Sequence, residues 1–210
     1  MSEGETRWWW VRHAPVVGHD GRIYGQSDMP CDCSDADAMK ALAGVLPTEA
    51  VWITSHLKRT VETAAAIVAA GLPAPPPIAV PDLAEQSFGD WQGKSWDEIA
   101  ALDEIVHARF WDDPTNNAPP GGESFAALMH RVSGAVERLS VEHAGRDIVA
   151  VTHGGTIRAA LAHALSLRPE KAMAVKVDNL SLTRLDRIDG GVLRGKGGAW
   201  RVYGVNLPPR

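Results

Sequence analysis

Two short apolar runs in this chain each end at a histidine. Trp8-Trp9-Trp10-Val11 leads into Arg12-His13, and Ile148-Val149-Ala150-Val151 leads into Thr152-His153-Gly154. Four consecutive apolar residues bounded by polar ones read as a strand buried on both faces, the kind found in parallel sheets. In an open α/β sheet the carboxyl ends of such strands face the ligand crevice, so residues far apart in sequence meet around one ligand. Two imidazoles, a guanidinium and free backbone N–H groups at those ends suit an anion and point to phosphate chemistry.

Ala50 to Ile53 and Ile78 to Val80 read as two further buried strands. Between the strands, Val61, Ala64, Ala65 and Val68 share one helical face, as do Ile157, Ala160, Leu161, Ala164 and Leu165. Gly71 and Pro169 mark the ends of these helices. After the breaker Pro119-Pro120-Gly121-Gly122, a longer amphipathic helix carries Phe125, Leu128, Met129, Val132, Val136 and Leu139 and ends near Gly145. Leu180 to Leu185 and Trp200 to Val205 read as a hairpin around the Gly190-Gly191 to Gly197-Gly198 stretch. The expected fold class is α/β, a three-layer sandwich with a mainly parallel central sheet and helices on both faces. Residues 1–210 are expected to form a single domain, with a partly helical excursion over about 84–145 covering the strand ends. Its Ala84 to Pro120 portion is rich in Trp and acidic residues.

A length of 210 residues, 45% of them hydrophobic, is enough for a sizeable core. The formal charge of -5 argues against nucleic acid or an anionic membrane as a partner, while leaving room for a small cationic pocket. The two cysteines, Cys31 and Cys33, stand too close for a ready disulfide and lack a second pair for a zinc site. With no basic leader and no apolar stretch long enough to span a bilayer, a cytoplasmic protein is expected.

A neutral imidazole can attack phosphorus, which makes His13 the candidate nucleophile. Arg12 and Arg59 can hold nonbridging oxygens in bidentate fashion, and His153 can add a third donor. Arg59 stands in Thr54-Ser55-His56-Leu57-Lys58-Arg59-Thr60, just past the second strand. The Gly154 N–H lies at the start of a helix whose dipole favours an anion. A departing alkoxide needs a proton, and Glu85 is the chosen acid over Asp82 and Asp90. Arg158 and Arg22 are expected to position loops through carboxylates, and Trp91 and Trp96 to pack.

These motifs resemble those of the histidine phosphatase superfamily, also called the phosphoglycerate mutase-like family. Arg12-His13-Ala14 matches its Arg-His-Gly signature except at the third position, and Thr54 to Thr60 matches its second arginine motif. His153-Gly154 matches the second histidine motif, and Glu85 with Phe88-Gly89-Asp90-Trp91-Gln92-Gly93 matches the acid-bearing loop. The resemblance implies a phosphorylated His13, a phosphate pocket of Arg12, Arg59 and His153, proton donation by Glu85, and no metal or other cofactor. His19 occupies a position where the family often has a phosphate-contacting Asn, and Gly25 and Asp28 keep parts of its substrate loop.

The implied activity is a metal-independent phosphomonoesterase that works through a phosphohistidine on a small phosphorylated metabolite. Among family members the chain looks similar to α-ribazole phosphatases. The alternatives are a cofactor-dependent phosphoglycerate mutase, against which the modest length tilts, and a non-catalytic phospholigand-binding module. A homodimer is the expected assembly, through an edge strand or the Trp-bearing excursion.

Overall fold

A computed structural model of the chain describes residues 4–209. Six strands form one sheet in the order β3-β2-β4-β1-β5-β6. They are β1 (Glu5–Arg12), β2 (Ala50–Thr54), β3 (Ile78–Ala79), β4 (Asp147–Thr152), β5 (Leu182–Ile188) and β6 (Trp200–Leu207). The first four are mutually parallel, and β5 and β6 add an antiparallel hairpin beyond β1.

Helices cover both faces. Against one face lie α1 (Ala36–Val45) and α2 (Lys58–Ala69), whose Leu42 and Ile67 meet Val11, Trp52, Val149 and Val151. On the other lie α5 (Phe125–Glu142), α6 (Gly154–Leu165) and the short α7 (Pro169–Met173). There Leu128, Val132, Val136, Ile157 and Leu161 pack on Trp8, Trp10, Ile53, Ile148 and Ala150. The alternation along β1 explains its three tryptophans. Trp8 and Trp10 point to the α5 side with rings stacked at 4.6 Å, and Trp8 donates its indole N–H to Ser140. Trp9 points the other way, donates to Asp147 and lies under the Arg184 guanidinium.

Three expectations are corrected. The strand at Ile78 is a two-residue edge element with exposed side chains, not a buried strand, because the Pro75-Pro76-Pro77 run delivers the chain to the sheet only at its rim. The hairpin starts at Leu182, two residues late, since Leu180 takes a positive φ of 60°. The excursion from the sheet stops at Ser124: α5 belongs to the main core through its apolar stripe. What remains is a small lobe of α3 (Trp96–Leu102) and α4 (Glu104–Asp112), in which Trp91, Ile99 and Phe110 are buried against Phe88, Trp96 and Ile23. Helix α1, absent from the sequence reading, is capped by Asp35, whose carboxylate accepts from the Ala38 N–H.

The order of the strands sets the crevice. Neighbours β1 and β4 run in register, Arg12 opposite Thr152. The chain leaving β1 goes to α1 on one face, and the chain leaving β4 goes to α6 on the other. Where connections part to opposite faces, no loop crosses the strand ends and a cleft opens above them. His13 and His153 are the first residues beyond those two strands.

Candidate active site

The two imidazoles meet edge to face, with ring centroids 5.2 Å apart. The backbone fixes His13 on both sides: its N–H donates to Thr152 O at 2.9 Å, and its carbonyl accepts from the Asn179 side chain at 2.8 Å. Nδ1 lies 2.7 Å from the Ala14 carbonyl. A carbonyl only accepts, so Nδ1 carries the proton and the neutral ring presents an Nε2 lone pair. Nε2 has no partner among the described residues. Burial, opposed by the Ala14 bond and reinforced by Arg59 and Arg12, pushes His13 down to about 3, which keeps the ring neutral.

Arg59 is fully buried at the start of α2. Its guanidinium donates to Gly25 O at 2.6 Å, to Ser27 O at 2.8 Å and, through Nε, to His153 Nδ1 at 3.3 Å. Since Nδ1 of His153 accepts, the proton of that neutral ring sits on Nε2, which donates to Ser55 Oγ at 2.8 Å. Burial, with the charges of His13, Arg59 and Arg12, holds His153 well below the usual histidine range. Both its nitrogens are therefore engaged, and direct donation to a phosphoryl group requires one of these bonds to be given up.

Arg12 donates to Val177 O at 2.6 Å, while its Nε is buried without a partner. It flanks Gly154: a Cβ there would lie 3.5 Å from Arg12 Nε and 3.5 Å from a terminal nitrogen of Arg158. Arg158 does not bind a carboxylate as expected; its Nε donates to Val175 O at 2.7 Å. Arg22 does, gripping Glu98 with two nitrogens.

Glu85 lies at the first turn of α6, where Oε2 accepts from the Gly155 N–H at 3.3 Å and Oε1 from the Gln86 N–H at 2.9 Å. Only glycine allows this approach, because a Cβ at position 155 would come within 2.2 Å of Oε1. The acid-bearing segment is clamped from behind. Arg131 donates to the carbonyls of Asp82, Ala84 and Glu85, and pairs with Glu123 at 2.5 Å. Glu123, which follows Gly121-Gly122 just ahead of α5, in turn accepts from the Ser87 N–H.

The loop after His13 serves the site mostly at one remove. His19 Nδ1 accepts from the Gly21 N–H, and its ring packs on Tyr24, which lies beneath the Arg59 guanidinium. Through Nδ1 it braces this turn. Gly25, at φ 43°, supplies the carbonyl for Arg59, and a side chain there would strike Gln92 and the Gln86 carbonyl. Asp28, expected in the substrate loop, accepts from the Lys58 N–H at 2.7 Å and so caps α2, whose own N-cap Leu57 has no capping side chain. Cys31 and Cys33 are free thiols 3.5 Å apart, with Cys31 against Arg59 O and Thr63. His56 is exposed.

Sequence reasoning missed Ser55, Gln92, Gly155, Arg131 and Asn179. Of these, Ser55 and Gln92 lie within the motifs quoted above, while Gly155, Arg131 and Asn179 act through contacts across elements that carry no local signal. Among the described residues, no helix is long and apolar enough to cross a membrane.

Comparison with known proteins agrees with this fold. A metal-independent phosphoserine phosphatase of Arabidopsis thaliana is 35% identical over 155 residues, covering 71% of this chain and 64% of the relative, so the match spans less than two thirds of that protein. An adenosylcobalamin/alpha-ribazole phosphatase of Salmonella typhimurium is 27% identical over 188 residues, covering 88% of this chain and 92% of the relative. The fold superposes on the alpha-ribazole phosphatase of Shigella flexneri with a TM-score of 0.79 at 22% identity, over 95% of this chain and 96% of the other. Residues 8–194 match the family model of the histidine phosphatase superfamily, branch 1, and the chain belongs to that superfamily.

Proposed function

We propose that the protein is a metal-independent phosphomonoesterase acting through a phosphohistidine. The single observation that carries this reading is the Nδ1–H of His13 held on the Ala14 carbonyl, which leaves Nε2 as the lone-pair nitrogen of a ring that the charges of Arg59 and Arg12 act on. His13 Nε2 attacks phosphorus in line with the ester oxygen, forming the N–P bond as the P–O bond breaks. Arg12 and Arg59 take the nonbridging oxygens, with the Gly154 N–H at the start of α6, and supply charge already in place when the transition state forms. His153 keeps the Arg59 guanidinium in its plane. Glu85 gives its proton to the departing alkoxide, then takes one from the water that cleaves the N–P bond and restores His13.

The substrate in this reading is a small phosphorylated metabolite. Alpha-ribazole phosphate is one specific candidate, supported by the Salmonella relative, and a phosphorylated amino acid is another, supported by the Arabidopsis one. Acid-quenched mass spectrometry during turnover of a slow ester is expected to trap one phosphoryl group on His13, with inorganic phosphate as the product. Phosphate on another residue, or unchanged turnover in His13→Ala, sinks the assignment. Transfer of the group back to a phosphoglycerate in place of water identifies a mutase.

A further inference from the structure

Arg12 and His13 are gripped by a single loop, residues 177–181, that leads into β5. The Arg12 N–H donates to Ser181 O at 3.2 Å, and the Arg12 carbonyl accepts from the Leu180 N–H at 2.9 Å. The Arg12 guanidinium donates to Val177 O at 2.6 Å, and the His13 carbonyl accepts from the Asn179 side chain at 2.8 Å. Asp178 stands between the two residues whose groups make these last bonds, so holding Asp178 holds both. The loop does not rest in its own preferred shape, because Leu180 sits in the left-handed region at φ 60°. A conformation of that kind persists where the surroundings impose it.

The outside hold comes from the last strand. Leu182 and Arg184 of β5 pair with Leu207 and Gly204 of β6, so two steps along β5 meet three along β6 and the outer strand bulges. Asn206 lies in that bulge at φ 54°, a conformation asparagine adopts more readily than most side chains. Its backbone N–H donates to Thr183 Oγ1 at 3.2 Å. Its side chain meets Asp178 twice: Oδ1 accepts from the Asp178 N–H at 2.6 Å, and Nδ2 donates to the Asp178 carboxylate at 2.9 Å. The Asn206 amide, followed by the Lys176 ammonium, holds the Asp178 carboxyl below the usual carboxylate range, and the Arg12 charge adds to the effect. The partner of the amide is therefore an ionised carboxylate.

We propose that Asn206 is a positioning residue for the phosphate site: by its paired bonds to Asp178 it fixes the 177–181 loop, and through that loop the places of Arg12 and His13. The proposal rests on the phosphatase reading above for what those two residues do. Asn206 touches neither the substrate nor the proton donor, whose segment is held separately by Arg131.

The test reads orthovanadate affinity by calorimetry beside kcat/KM on an alkyl phosphate and on 4-nitrophenyl phosphate. Asn206→Gly leaves the left-handed backbone accessible and removes the amide. It is expected to weaken vanadate binding and to lower kcat/KM by about tenfold to 100-fold, the range of a misplacement up to about one ångström, with equal factors on the two esters. Asn206→Asp keeps the acceptor for the Asp178 N–H but sets two carboxylates face to face, and is expected to lose as much. Adding Asp178→Asn to it rebuilds the pair with its charge exchanged and is expected to recover most of the loss. Tyr203→Ala, at an exposed position of the same strand, is expected to leave vanadate affinity and turnover at wild-type values even where urea shows lower stability. The proposal is overturned by Asn206→Gly with wild-type affinity and turnover, by an Asn206→Asp loss that Asp178→Asn does not recover, or by a loss confined to the alkyl ester. A wild type that binds orthovanadate and hydrolyses neither ester removes the phosphatase reading, and the affinities alone then decide the role of Asn206.

Discussion

Arg59 Nε donates to His153 Nδ1 at 3.3 Å, so the two motifs that end β2 and β4 are joined by a bond between the side chains they deliver. The opposite nitrogen of the same ring is tied to Ser55. His153 is thereby a bracket between a strand end and a buried cation.

Removing the bracket loosens Arg59. His153→Ala is expected to lower kcat/KM by about 100-fold, the scale of a misplacement near one ångström. Ser55→Ala, which only frees the ring, is expected to cost less, and the double variant little beyond His153→Ala alone. Steady-state kinetics on an aryl phosphate measure all three; a fully additive double variant argues that Ser55 acts elsewhere.

The acid role of Glu85 is visible in its dependence on the leaving group. Glu85→Gln is expected to lower kcat on an alkyl phosphate by about 100-fold or more, while 4-nitrophenyl phosphate, whose phenolate leaves without a proton, is much less affected. Gly155→Ala, which drives a methyl group into Oε1, is expected to follow the same pattern in weaker form. Equal losses on both esters would remove Glu85 from proton transfer.

Stability is expected to fall in acid. The unfolded imidazole of His13 takes up a proton near pH 6.5, whereas the folded one resists until about 3. In that window the unfolded state holds more protons, so stability present above pH 6.5 is lost as the pH drops, at up to about 1.4 kcal/mol per pH unit for one group. Urea unfolding of wild type and His13→Asn across pH 4 to 7 checks this, with the shallower slope expected in the variant. Parallel slopes would show that His13 does not titrate as its burial dictates.

Asp28→Ala removes the α2 cap. A loss of about 1 kcal/mol is expected, with Asp28→Asn close to wild type because its side-chain oxygen still accepts. Because Lys58 is the residue before Arg59, a rise in KM should accompany the loss. Equal stability of the alanine and wild-type proteins in urea would dismiss the cap.

The strand ends and the residues on them were legible because burial writes itself into composition: Val149 to Val151 and Trp8 to Val11 are apolar on both faces, and the two histidines stand just past the strands they form. Glu85 was legible through its surrounding motif. Asp28 was not, since a cap donated from thirty residues away has no local pattern, and its carboxylate reads as one more loop charge. His153 was placed, but its bond to Ser55 was not, because Ser55 reaches it only once β2 and β4 lie side by side. Helix α1 did carry a readable sign, Asp35 before Met39, Leu42 and Leu46, yet its small alanine-rich face gave a weak apolar stripe. The hairpin of α3 and α4 packs on its own aromatics and not on the sheet, so its periodicity answers to a second, smaller core.

The grip of Arg131 on Glu123 and on the carbonyls of Asp82, Ala84 and Glu85 divides the site into two separately anchored parts. The proposed nucleophile, His13, directly follows a central strand, whereas the segment of the proposed acid, Glu85, is tied from outside the sheet by Arg131 of α5, Gln26 and Thr156 of α6. Changes in the lobe of α3 and α4, which packs on its own aromatic core, would alter what lies beside Glu85 without touching the bonds that hold His13 and Arg59.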